Sequence, residues 1–60
     1  MKLEIIEKGT REVLGVVITD RGMTIYEACE FAGLSEDITP NEDGECMYDA
    51  EQDLEMEYSK

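Results

Sequence analysis

The stretch Gly22-Met23-Thr24-Ile25-Tyr26-Glu27-Ala28-Cys29-Glu30-Phe31-Ala32-Gly33-Leu34 writes both ends of one short helix into the chain. Thr24 is a good N-cap, and Glu27 stands three residues on, the spacing at which each side chain satisfies the other's backbone N–H. Ile25, Ala28, Cys29 and Ala32 recur at i, i+3, i+4 and i+7, so they share one face. Gly33 falls where a left-handed residue ends a helix, and Leu34 can fold back over Cys29 and Ala28. A helix over 24–32 with one apolar face needs a sheet or a partner to cover that face.

The flanking segments supply a sheet. Leu3 and Ile5 face one way, Glu4 and Ile6 the other, as in a strand with one wet side. Lys8-Gly9-Thr10-Arg11 supplies a turn through Gly9. Residues 12–19 are rich in β-branched side chains, so 2–19 reads as a β-hairpin. Leu14, Val16 and Ile18 are taken as the inward set of the second strand, with Val13, Gly15 and Val17 outward. Gly15 in mid-strand marks a bulge or a close approach. The last segment admits two readings. Leu54, Met56 and Tyr58 alternate with Asp53, Glu55 and Glu57, the period of a strand; Ala50, Leu54 and Tyr58 are four apart, the period of a helix, in helix-favouring company. The strand over 53–58 is preferred, because a hairpin with one helix needs a further element to close its core. The expected fold is α+β: one small β-β-α-β domain over 1–60, an antiparallel sheet in order 2-1-3, and one helix packed on one face. The expected core is Leu3, Ile5, Leu14, Val16, Ile18, Ile25, Ala28, Cys29, Ala32 and Leu34, joined by Leu54 and Met56 if the tail docks.

Residues 35–45 are polar and read as a mobile loop, the main part of an acidic loop over 35–47. Aligning Gly44 with the glycine of a calcium-binding loop puts Asp43 and Asn41 at suitable positions. It also puts Thr39 and Ala50 where an aspartate and a bidentate glutamate are required, so the pattern fails. The chain has no histidine and two cysteines, Cys29 and Cys46, 17 residues apart. His-based acid–base catalysis, Ser-His-Asp triads and His-ligated zinc are therefore absent, and no phosphate-binding glycine loop is present. No catalytic residue, cofactor or metal is expected, and a core this small is expected to enclose no pocket of catalytic size. The start, Met1-Lys2-Leu3-Glu4, lacks the apolar core of a secretory signal, and the longest apolar run, Val13 to Ile18, is too short to span a bilayer. These features predict a cytoplasmic protein with reduced thiols.

The charge is uneven. Of a formal net charge of −11, residues 1–34 carry six acids against four bases, net −2, and residues 35–60 carry ten acids against Lys60, net −9. Such a field repels nucleic acid and anionic membranes and attracts basic partners. The words Gly22 to Gly33, Tyr48-Asp49 and Leu54-Glu55-Met56-Glu57-Tyr58 together resemble a group of small, acidic, uncharacterised bacterial proteins found on mobile elements of gut Firmicutes. The resemblance implies a bacterial origin and a mobile-element setting, and assigns no site.

Sixty residues bury only about 60% of their unfolded surface, so a partner or self-association is expected. The expected function is a non-catalytic protein-interaction module. It would dock a protein, a basic one or a second copy, through a sheet edge or through a candidate surface of Tyr26, Phe31, Tyr48, Asp53, Glu55, Glu57 and Tyr58. The alternative is a DNA mimic whose carboxylates imitate a phosphate row and occupy the groove of a nucleic-acid-binding protein. One measurement follows from the charge alone. Carboxylates crowded between Glu36 and Glu57 repel one another, so added salt is expected to raise the melting temperature at neutral pH. A flat or falling melting temperature between low and moderate salt contradicts a folded acidic segment.

Overall fold

The computed structural model describes residues 1–59. Strands β1 (Lys2–Glu7) and β2 (Val13–Ile18) form the hairpin, followed by helix α1 (Ile25–Phe31), a one-turn helix α2 (Ser35–Ile38) and strand β3 (Leu54–Ser59). The sheet is antiparallel throughout, in the order β2-β1-β3. This is the expected α+β domain with its helix on one face of the sheet.

The caps of α1 are the ones its sequence spells. The Thr24 hydroxyl accepts the Glu27 N–H at 3.1 Å, and Glu27 Oε1 accepts the Thr24 N–H at 3.3 Å. At the other end Leu34 N–H bonds the Cys29 carbonyl and Gly33 N–H the Glu30 carbonyl, with Gly33 at φ +78. That pair of bonds is the Schellman stop, and it needs a residue without a Cβ at the left-handed position. Helix α1 lays Ala28 and Cys29, both fully buried, onto Leu3 and Ile5 of the central strand; Val17 and Leu54 complete the core.

The register corrects the expected inward face of β2. Leu3 pairs with Val17 and Ile5 with Gly15, so Val17 and Gly15 lie under the helix. Val16 and Ile18 pair with Glu4 and Lys2 on the outer face and are 48% and 77% exposed. Both alternate sets of β2 are apolar, so periodicity alone could not choose between them. What chooses is the helix: a Cβ built on Gly15 would stand 2.8 Å from Ala32 Cβ and 3.3 Å from Leu34 Cδ1. The end of α1 settles on the one position in β2 that has no side chain. Beside it the ladder slips between Ile5 and Ile6, leaving Leu14 as an inserted residue packed against the core.

Two further differences have local causes. The left-handed residue of the hairpin turn is Arg11, at φ +63, not Gly9. The segment read as a mobile loop begins with α2. Acids Glu36 and Asp37 in its first turn suit the helix N-terminus. Thr39 Oγ1 donates to the Ser35 carbonyl at 2.6 Å, Tyr48 N–H bonds the Asp37 carbonyl, and Ile38 packs against the core. Before β3, residues 49–53 form one more turn, capped by Asp49 Oδ1 accepting from Glu51 and Gln52 N–H. Of the residues spaced four apart, Ala50 lies in this turn, while Leu54 and Tyr58 lie in the strand that follows.

Candidate interaction surface

The face of the sheet away from α1 is built from β2 residues Val13, Val16 and Ile18, β1 residues Ile6, Glu4 and Lys2, and β3 residues Glu55, Glu57 and Ser59. The Cα trace is only 15 Å along its shortest axis, room for one helix on one sheet, so among the described residues no second layer covers this face. One half of it closes itself. Arg11 leaves the hairpin turn, ion-pairs with Glu55 through Nη1, and donates to Glu57 Oε1 at 2.9 Å through Nη2. To reach β3 from the turn before β2, it must cross β1. Its apolar stem therefore lies over the Ile6 position, which accounts for an isoleucine on the outer face being only 4% exposed. The same guanidinium offsets repulsion between Glu4 and Glu57, which stand directly opposite each other.

Arg11→Ala is expected to cost about 1 kcal/mol, since exposed ion pairs are weak and part of the loss is packing. It should also steepen the rise of melting temperature with salt. A salt response identical to that of the parent would sink this account of Arg11.

The other half stays open. Val13, Val16 and Ile18 form one apolar row, 46%, 48% and 77% exposed, on a strand with no charged residue. β2 is also a sheet edge. Thr19 N–H bonds the Met1 carbonyl, so by the alternation of an antiparallel ladder Val17 and Gly15 also turn their backbone groups to β1. Val16 and Ile18 then turn theirs outward. At the opposite edge Lys8 N–H bonds the Asp53 carbonyl, so Leu54, Met56 and Tyr58 have the outward backbone groups of β3. That edge carries Glu55 and Glu57, and charge is the usual defence of an edge against stray pairing. β2 has no such defence.

The residues singled out from sequence do not form one patch. Glu55 and Glu57 lie on the outer face in the grip of Arg11, while Tyr58 lies on the helix side. Tyr58 Oη accepts the Met23 N–H and donates to its carbonyl, both at 3.2 Å, tying β3 to the start of α1. Asp53 Oδ2 accepts the Asp49 N–H, within its own turn. Tyr26 is half exposed and donates to Glu51 Oε1 at 2.9 Å. Tyr48 packs against the core, and Phe31 is 64% exposed on α1. The signal that would have found the β2 row was present: an uncharged strand next to a strongly charged one. It was obscured by assigning Val16 and Ile18 to the core.

Titration follows these contacts. The hydrogen bond from Thr24 N–H, reinforced by Arg21, holds the Glu27 carboxyl below its ordinary value. A carboxyl depressed in the folded state contributes stability above its unfolded pKa, and the contribution is lost as pH falls through the folded value. The melting temperatures of the parent and Glu27→Gln should therefore differ at neutral pH and converge in acid. A gap that stays constant across the acid range would contradict this. The Glu51 contact raises the Tyr26 phenol, and burial among Glu7, Glu12 and Asp37 raises Tyr48. Their contribution is present below the unfolded tyrosine pKa and lost as pH rises through the folded values. Burial likewise raises the Cys29 thiol, and both cysteines are free.

The surface carries a hollow of about 400 Å3, lined by Glu36, Asp37, Thr39, Asn41, Glu45, Cys46 and Met47. It is open to solvent and its charged lining is all acidic. Among the described residues no group of His, Cys, Asp or Glu side chains is gathered to hold a metal ion. Among the described residues no helix is long and apolar enough to cross a membrane. No family model, curated protein or solved structure matches the chain.

Proposed function

We propose that this domain is a non-catalytic protein-interaction module that receives a polypeptide strand along the edge of β2. The observation that carries the reading is the row of Val13, Val16 and Ile18, exposed on an uncharged edge strand whose backbone groups at Val16 and Ile18 point outward. A strand added there gains main-chain hydrogen bonds from the edge and buries apolar surface on the outer face, two terms that act together. The opposite edge is charged, and its neighbouring face is closed by Arg11, which leaves β2 as the side built to receive. The DNA-mimic reading has less support, because Glu55, Glu57 and Asp53 are each engaged within the domain.

Position-specific photo-crosslinking tests the proposal. A photoreactive side chain in place of Val16 or Ile18 is expected to capture a polypeptide in the native host, while one in place of the exposed Glu42 captures none. The interaction should not weaken with salt, whereas a mimic's complex should weaken steeply and be displaced by DNA. Equal capture from Glu42, or displacement by DNA, would overturn the assignment.

A further inference from the structure

Resting on the reading of β2 as a receiving edge, we propose that its occupant is β2 of a second copy of this chain. The two strands run antiparallel about a two-fold axis at Val17 and join two sheets into one of six strands. The local charge favours this occupant over a basic strand. The Ile18 end of β2 is close to neutral: Lys2 stands directly beside Ile18 on the outer face, and Asp20 and Arg21 follow the strand, with Arg21 paired to Glu27. A lysine-rich or arginine-rich strand gains no net attraction there, whereas an apolar strand loses nothing. The acidic segment lies toward the other end, where Lys8 N–H bonds the Asp53 carbonyl and Lys8 Nζ the Glu51 carbonyl.

Charge also selects the register. About Val17, Val16 of each copy faces Ile18 of the other, and these are the residues whose backbone groups point outward. Each row across the joined sheets then reads Glu4, Val16, Ile18, Lys2, an apolar pair flanked by one acid and one base. Moving the axis to Val16 would set Val16 against itself between two copies of Glu4. It would also bring Glu12 of each copy toward Asp20 of the other, two acids just beyond the strand ends. The contact is small, so the dimer is a weak one. Each copy carries −11, so salt strengthens the dimer by screening, the reverse of what salt does to a complex with a basic partner.

Sedimentation equilibrium of the full chain at about 0.05 M and about 0.5 M sodium chloride, where screening lengths differ several-fold, tests this. The expected mass rises with concentration from 6.8 kDa toward twice that value, and rises further in the higher salt. Ile18→Lys should abolish the rise while leaving the monomer's melting temperature within a few degrees, because Ile18 is exposed; Val16→Lys is the second variant. Amide exchange at Val16 and Ile18 should slow with concentration, and exchange at Met56 and Tyr58 on the other edge should not. A monomer at every concentration in both salts overturns self-pairing. So does a dimer that survives both lysine variants, or protection confined to β3. If the chain is monomeric while Ile18 still captures a different polypeptide, the receiving edge stands and only its occupant is wrong. If neither occurs, both readings fall.

Discussion

Gly15→Ala is expected to destabilise the domain by about 1–3 kcal/mol, the usual penalty for forcing a methyl group into a filled space. Without the structure the opposite sign would be argued. Alanine restricts the unfolded chain more than glycine and suits a strand better, which alone is worth about 0.4–1 kcal/mol in its favour. The 2.8 Å separation between the added Cβ and Ala32 Cβ decides the sign. Ala32 Cβ is fixed directly to the backbone of the α1 C-cap and cannot swing aside, so the helix end or the strand must move. In a domain this small, each kcal/mol lowers the melting temperature by about 4–8 °C. A double-mutant cycle separates this clash from a general intolerance of β2. Ala32→Gly alone should cost about 0.5–1 kcal/mol, and combined with Gly15→Ala it should return most of the lost stability. Additive losses, or a stabilised single variant, would show that α1 does not rest on Gly15.

The same contact explains how far the sequence could be read. Helix α1 was legible because both its ends are local chemistry: Thr24 and Glu27 satisfy each other's backbone, and Gly33 supplies the left-handed stop. The strand order was legible because a hairpin and one helix need a further strand to close the core, and a right-handed return through α1 brings it beside β1. The inward face of β2 was not. With apolar residues on both of its alternate sets, the choice rests on where α1 lands, a tertiary fact. Nor was the role of Arg11, which depends on β3 bringing Glu55 and Glu57 within reach from far along the chain. Both points bear on the candidate surface: periodicity places Val16 and Ile18 in the core, and the sequence groups Glu55 and Glu57 with the aromatics in one interaction surface, whereas the structure exposes the former and ties the latter to Arg11.

The two adjacent isoleucines of β1 offer the second large effect, and their comparison tests the two-faced sheet directly. Both are almost completely buried, yet different structures bury them. Ile5 faces α1 between Gly15 and Met56, inside a cluster that cannot collapse without moving the helix. Ile5→Ala is expected to cost about 2–5 kcal/mol. The whole stability expected of a chain this length is about 3–9 kcal/mol, so that loss should leave a large unfolded fraction at 37 °C. Ile6 lies on the outer face beneath the stem of Arg11, a long flexible side chain that can settle into the space a truncation leaves. Ile6→Ala should therefore cost about 1–2 kcal/mol, and less again when Arg11 is already alanine, because the cover is gone. Urea melts of the four variants give these differences directly. Equal losses at Ile5 and Ile6, or a loss at Ile6 that ignores the state of Arg11, would mean that something other than the Arg11 clasp buries the outer face. The open row on β2 would then lose its contrast with a closed neighbour, the contrast on which its reading as a receiving edge depends.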